Sequence, residues 1–204
     1  MKNILIATGI CGLLTMNTAA DIIHDTTGFD INTTWLVGQS QATQTINQPA
    51  DSIIVNGGDF FLESITVRLS ATQLVGAVGG DYRVHFWSND VDKPGTLLES
   101  FTIENSANLD GGDITMFSGG GVLLEQGSVY WVSAALPDDM SFGSWQGVDA
   151  TSNGRAVAFS GSDDPNWIST SSTSSLYLQV TGTPVPTPGT LALLGLSVLA
   201  IRRR

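Results

Sequence analysis

His24 and His85 are the only imidazoles in the chain, so a serine hydrolase built on it would have to use one of them as its base. Only one serine invites that test, in Gly143-Ser144-Trp145-Gln146-Gly147, and it stands second rather than third. The strand-to-helix elbow that exposes a nucleophile is not expected around it. His24 falls close behind the expected start of the mature chain, where order is least expected, and His85 reads as an exposed strand residue beside Arg83. Glycoside hydrolysis asks instead for two carboxyls about 5 to 9 Å apart. The pairs Asp138-Asp139 and Asp163-Asp164 adjoin Pro137 and Pro165, where Asp ordinarily closes a turn. The chain is therefore expected not to be an enzyme and to have no catalytic residues.

Two binding chemistries remain. Asn89, Asp90 and Asp92 place oxygen donors in one loop, which suits calcium. Counted from Asp90, Gly95 takes the sixth position of a calcium loop, but Phe101 takes the twelfth, where a bidentate Glu belongs. A structural calcium and a solvated turn both fit this loop, and no other cofactor is expected. The tryptophans Trp35, Trp87, Trp131, Trp145 and Trp167 are numerous for so few charges. Exposed rings stack on sugar faces while neighbouring carboxylates and amides take the hydroxyls. Trp87, Trp145 and Trp167, near strand ends or in Gly/Ser/Asn-rich loops, are the candidate glycan-binding residues; the alternative is that they fill a core.

These residues need a scaffold, and the middle of the chain predicts an all-β one. Between Asp21 and Thr181 no run keeps apolar residues at helical spacing, while short β-branched and aromatic runs recur between Gly, Asn, Asp and Ser clusters. The expected strands cover 52–55, 60–69, 72–78, 82–87, 96–103, 113–117, 129–135, 155–160 and 176–180, and many short strands between turns imply an antiparallel β-sandwich of jelly-roll or Ig-like kind. Alternation places Ile65, Val67 and Leu69 inward, and sets Val84 and Phe86 against Arg83, His85 and Trp87 on the opposite face. Tyr82 to Ser100 reads as a hairpin whose connection is about eight residues. Gly-Gly-Asp occurs at 57–59, 79–81 and 111–113 with unequal spacing, as recurrent turn chemistry with glycine at positive φ and not as a repeat.

Charge locates the domain. The chain holds 19 acidic and 8 basic side chains, yet Lys2 and Arg202, Arg203 and Arg204 take four of the basic ones. The interior is left with four against 19, a net of −15. Such a field repels phosphate backbones, so nucleic acid is excluded as a partner.

Both ends read as addresses. Lys2, an apolar run from Ile4 to Leu14 and small residues up to Ala20 make the three parts of a secretory signal peptide, with cleavage expected after Ala20. The only cysteine, Cys11, lies inside it, so the mature protein is expected to carry no disulfide. At the other end, Thr183-Pro184-Val185-Pro186-Thr187-Pro188-Gly189-Thr190 precedes an apolar run, Leu191 to Ile201, and then three arginines. A stiff spacer, a greasy segment and a basic stop suit a membrane, although 11 residues make only about 16 Å of helix, short for a permanent span. A transient signal held by snorkelling arginines can be that short.

In that order of parts, the last twenty or so residues resemble the PEP-CTERM protein-sorting signal of Gram-negative bacteria. The sorting motif is Val185, Pro186, Thr187, Pro188, Gly189 and Thr190, with Thr187 where the family usually has Glu, and Arg202, Arg203 and Arg204 form the membrane stop. The resemblance implies processing by an exosortase-like membrane enzyme and an exopolysaccharide context. The runs Phe61 to Val67, Tyr82 to Ser100 and Gly127 to Val132 also look like the choice-of-anchor β-sandwich ectodomains found ahead of such signals. The expected division is a signal peptide over 1–20, an ectodomain over 21–181, a Pro-rich linker and sorting motif over 182–190, and a hydrophobic segment with its Arg stop over 191–204. The expected function is that of an exported surface or extracellular-matrix protein, structural or adhesive, in the envelope or the matrix. The alternative is a carbohydrate-binding module with polysaccharide as its partner.

Overall fold

The computed structural model describes residues 19–39, 46–71, 81–104, 109–136, 142–158, 165–170 and 174–186. The elements there are all strands: β1 (Asp21–Asp25), β2 (Ile31–Gln39), β3 (Ile46–Ile54), β4 (Phe60–Ala71), β5 (Tyr82–Asn89), β6 (Pro94–Ile103), β7 (Asp110–Phe117), β8 (Leu123–Leu124), β9 (Val129–Ala135), β10 (Phe142–Thr151), β11 (Arg155–Ala158), β12 (Trp167–Thr170), β13 (Ser174–Leu176) and β14 (Leu178–Pro184). The expected all-β class is thus what these residues adopt. Strand neighbours run β1-β14-β4-β10-β2-β3-β9-β5-β6, and all of the pairings are antiparallel.

The 12-residue β4 organises one arm. One of its edges pairs with β14 and then β10, the other with β8 and β7. Strand β3 joins the arms: Asn47 pairs back to Gly38 of β2, while Ala50 to Ile54 pair with β9. Beyond it lie β5 and β6 on one side and the β11–β12 hairpin on the other. One buried cluster draws on both arms, taking Ile65, Val67 and Leu69 from β4, Leu178 and Val180 from β14, and Val84, Phe86 and Val132 from β5 and β9. Burying a side chain of this size contributes about 1.5 to 3 kcal/mol, so this common interior is what holds the arms together.

Alternation is borne out on β4, where Ile65, Val67 and Leu69 are fully buried, and it assigns the two faces of β5 correctly. Val84 and Phe86 enter the main cluster, but His85 and Trp87 on the opposite face are buried as well. His85 is therefore not the exposed residue expected. Its row across the strands reads Ala156, Ala50, Ser133, His85, small residues that leave room for bulky rings. A second cluster, of Trp87, Trp131 and Trp167 with Ala50, Ala156 and Ala158, covers that face.

Other boundaries move. The β5–β6 connection is four residues, with Asn89 paired to Pro94, so Pro94 and Gly95 belong to a strand and not to a long turn. Strand β14 runs past Thr181 to Pro184 opposite Phe60, and Val185 N donates to Asp59 O at 2.9 Å. Gly57, Gly58 and Gly111 have φ of 89°, 146° and 83°, the left-handed region expected of the Gly-Gly-Asp turns, although the third copy lies inside β7. Strands β1, β2, β8, β10 and β12 were not expected at all. The signal segment up to Thr18, the strand expected at 72–78, Gly79 and Gly80, and the pairs Asp138-Asp139 and Asp163-Asp164 lie outside the described residues. So do the sorting residues Thr187 to Thr190 and everything from Leu191 to Arg204. Among the described residues no helix is long and apolar enough to cross a membrane.

Candidate functional site

The three candidate glycan-binding tryptophans do not form one exposed platform. Trp145 is wholly buried in the main core, its Nε1 donating to Tyr177 O at 2.9 Å. Trp87 and Trp167, 2% and 7% exposed, meet edge to face with centroids 5.6 Å apart. The expectation of exposed stacking rings is corrected for all three: each ring spends its faces on protein neighbours, and stacking on sugar needs a free face.

The structure does join two of the candidates that the sequence kept apart. Trp87 and Trp167 line a cleft of about 420 Å³ together with Ser88, Asn89, Asp90, Lys93 and Asn166. The β5–β6 turn and the Pro165–Trp167 stretch therefore line one cleft, and its lining is largely polar. The turn is held locally: Asp90 N donates to Lys93 O at 2.8 Å, and Val91 and Asp92 take φ of 45° and 63°. Ser88 Oγ accepts from Thr96 N at 2.9 Å across the hairpin.

The calcium candidates Asn89, Asp90 and Asp92 diverge. Asn89 Oδ1 accepts from Trp131 Nε1 at 2.8 Å. Asp90 Oδ2 lies 4.0 Å from Lys93 Nζ, and the carbonyl of Asp92 accepts from Ser169 Oγ at 2.8 Å. These contacts tie the turn to β9 and β12, and among the described residues no group of three His, Cys, Asp or Glu is placed to hold a metal.

Sequence reasoning missed the most connected polar centre. Asp51 of β3 and Arg155 of β11 pair directly across the strands, in the same inward row as Val132 and Phe86. Asp51 Oδ2 accepts from Ser175 Oγ and Leu176 N, both at 2.6 Å, and Oδ1 from Ser152 Oγ at 2.6 Å and Ser52 N at 3.1 Å. Arg155 Nη1 stands 3.9 Å from Asp51 Oδ2 and donates to Ser174 O at 3.0 Å, with its Cζ 4.2 Å from the Trp35 ring centroid. Burial pushes this guanidinium below its ordinary range, against the pull of Asp51. Both groups are out of solvent, so the centre ties β3, β11 and β13 together and offers no open position to a substrate. The available signal was Asp51 itself, a charge set in the apolar run Pro49 to Val55, because buried carboxylates require partners.

His24 also departs from expectation. It lies in β1 opposite Val180, its Nε2 buried without a hydrogen-bond partner among the described residues. Burial holds its pKa below the ordinary value, with Asp51 and then Asp25 opposing. Thr26 then anchors the chain, its Oγ1 donating to Leu176 O at 2.6 Å and accepting from Leu178 N at 2.8 Å. His85 is sealed in beside Trp87, ring centroids 5.4 Å apart.

On the outer edge, Arg68 Nε donates to Asp113 Oδ1 at 2.7 Å, and Arg68 Nη2 to Tyr177 Oη at 2.9 Å. Tyr177 Oη in turn donates to Asp113 Oδ2 at 3.1 Å. This triad pins the bend between β13 and β14 to β4 and β7. No family model matches the chain, and no curated protein matches it.

Proposed function

We propose that this chain is an exported, non-enzymatic surface domain, held at the envelope by its C-terminal segment and serving a structural or adhesive role in an exopolysaccharide setting. The domain is read as a β-sandwich whose layers are the two arms of the sheet. One observation supports the tethered reading most: β1 and β14 are neighbours, with Asp21 opposite Gly182. With the signal segment removed after Ala20, the new N-terminus therefore lies beside the root of the C-terminal segment, which leaves that segment as the single point from which the domain hangs. Its charge of −15 and its lack of basic clusters keep such a domain soluble beyond a membrane. An exosortase-like enzyme would act on Val185 to Thr190, beyond the last strand.

The test is to fuse residues 185–204 to an unrelated exported reporter. The expected result is a membrane-associated or C-terminally processed reporter; a reporter released whole and soluble would refute the sorting role.

The polar cleft favours a second reading, a carbohydrate-binding module. In this version hydroxyls would be taken by Asn89, Asp90, Lys93 and Asn166, with the Trp87 and Trp167 edges as walls and not as stacking platforms. Exopolysaccharide titrated into the protein should shift tryptophan fluorescence, and an Asn166→Ala variant should blunt the shift. An unchanged spectrum across a broad glycan panel would remove this reading.

A further inference from the structure

Four large apolar side chains stand in solvent on one face of one arm: Ile22 (61%), Phe61 (41%), Phe117 (73%) and Leu123 (42%). Their strand register gathers them. Ile22 pairs with Thr181, Thr181 with Ser64, and Ser64 with Phe117, forming one row across β1, β14, β4 and β7. Thr183 pairs with Phe61, and Phe61 with Leu123, forming the next row. Residues directly opposite in antiparallel strands point to the same side, so the four share a face, while Leu62, Ile65 and Met116 fill the core on the other.

The polar groups of that face are largely spent on one another. Ser64 Oγ and Thr181 Oγ1 are 2.8 Å apart, as are Thr66 Oγ1 and Thr115 Oγ1. Thr183 Oγ1 donates to Glu63 Oε2 at 3.0 Å. Between Phe61 and Phe117 lies a shallow hollow of about 550 Å³, with Glu63 the one charged residue lining it. Contiguous apolar surface of this kind marks a contact site.

Its position says with what. Thr183 of the face lies three residues before Pro186, and the apolar run starts at Leu191. Five residues of stiff, Pro-rich chain reach about 16 Å. Whatever surface Leu191 enters therefore lies within about 30 Å of Phe61, less than the width of the domain.

We infer that this face rests on the interface of a lipid bilayer, with Phe61, Phe117, Leu123 and Ile22 seated at head-group depth beside the C-terminal segment. The inference builds on the membrane-directed reading of residues 191–204 and adds an orientation for the domain. Because Glu63 is the charged residue lining the hollow, and the nearby cation of this face, Arg68, is neutralised by Asp113, the face suits zwitterionic lipid and not an anionic surface. Rings at a membrane–water boundary are favourable in themselves, so contact needs no partner protein.

The experiment reconstitutes the full chain into phosphatidylcholine vesicles containing a phosphatidylcholine with a photoreactive group near its glycerol, and maps the adducts by peptide mass spectrometry. Adducts are expected on Phe61, Phe117, Leu123 or Ile22 and on 191–201. In Phe117→Ser, an exposed change that spares the core, adducts on this face should fall at least about fivefold, with those on 191–201 unchanged. Adducts on 191–201 but none on the face would overturn the orientation and leave the anchor standing. Adducts nowhere would overturn both. A face that yields chain-to-chain cross-links and no lipid adducts would assign it to a second copy instead and overturn the inference.

Discussion

Asp51 faces Arg155 across the β3–β11 pairing, yet its oxygens are closer to Ser152, Ser175 and Leu176 N than to the guanidinium. The carboxylate is thus chiefly an acceptor that clamps one arm to the other, with Arg155 balancing its charge. Removing one member of a buried pair costs about 3 to 5 kcal/mol. Asp51→Ala should reach the top of that range, because it also strips a backbone N–H of its acceptor, and Arg155→Met should cost less. Urea denaturation followed by tryptophan fluorescence measures both; equal losses would show that the ion pair, and not the clamp, sets the stability.

His24 predicts a dependence on pH. Its folded pKa lies below its ordinary 6.5 through burial, against Asp51 and Asp25, so the unfolded chain takes up the proton first. Stability is then full above the unfolded pKa and falls as pH drops from about 6.5 toward the folded value. A His24→Leu variant should flatten that slope between pH 7.5 and 5 in thermal unfolding; an unaltered slope would contradict the assignment. Asp25 acts in a separate, lower window. Burial raises its pKa, but hydrogen bonds from Thr27 and Gln179 outweigh this and hold it below 3.8, so its contribution is lost only as pH falls through that lowered value.

Gly143 and Gly147 frame the serine that the sequence offered as a nucleophile, and both are glycine for reasons of packing. A Cβ on Gly143 would collide with Tyr82 Oη and come within 2.7 Å of Ser70 O, in a site where Tyr82 Oη already donates to Ser70 O. One on Gly147 would meet the methyl of Thr33 and no closer backbone than 3.5 Å. Gly143→Ala should therefore cost about 2 to 3 kcal/mol and Gly147→Ala less, since a side chain can turn aside where a carbonyl cannot. Matched denaturation midpoints would contradict this ranking.

Asn89 holds the hairpin turn through Trp131 Nε1. Asn89→Ala should cost about 1 to 3 kcal/mol, the penalty for leaving a buried donor unpaired, and Trp131→Phe in the same background should recover part of it. A double-mutant cycle measured by thermal unfolding checks this; strictly additive effects would mean the bond contributes nothing.

The sequence made some of this legible and hid the rest for physical reasons. Ile65, Val67 and Leu69 announced β4 because one of its faces is core and the other carries hydroxyls, a period of two that survives in the sequence. On β5 alternation sorted the two faces but not that both are covered, so His85 read as exposed: a strand covered on both faces loses the polar half of its pattern. Strand β10 went unread because Gly143, Ser144 and Gly147 resemble a loop, although the glycines only make room for Tyr82 and Thr33. Strand β1 went unread because it sits just past the expected cleavage site, and its partner, β14, lies more than 150 residues away. The cleft combined Trp87 and Trp167 with the Asn89 turn, a meeting that requires β12 to fold back onto β5 and that no local spacing encodes. Asp51 and Arg155 showed only as isolated charges 104 positions apart.

An exported β domain held at the envelope by the segment beyond Pro186 should lose that hold when the segment is removed. The most direct measurement compares the full chain with one ending at Pro186, both produced in a Gram-negative host and fractionated. Both should be exported, with the full chain in the membrane fraction, or trimmed after Val185, and the shortened chain soluble outside the cytoplasm. Finding both soluble and whole, or both retained in the cytoplasm, would contradict it.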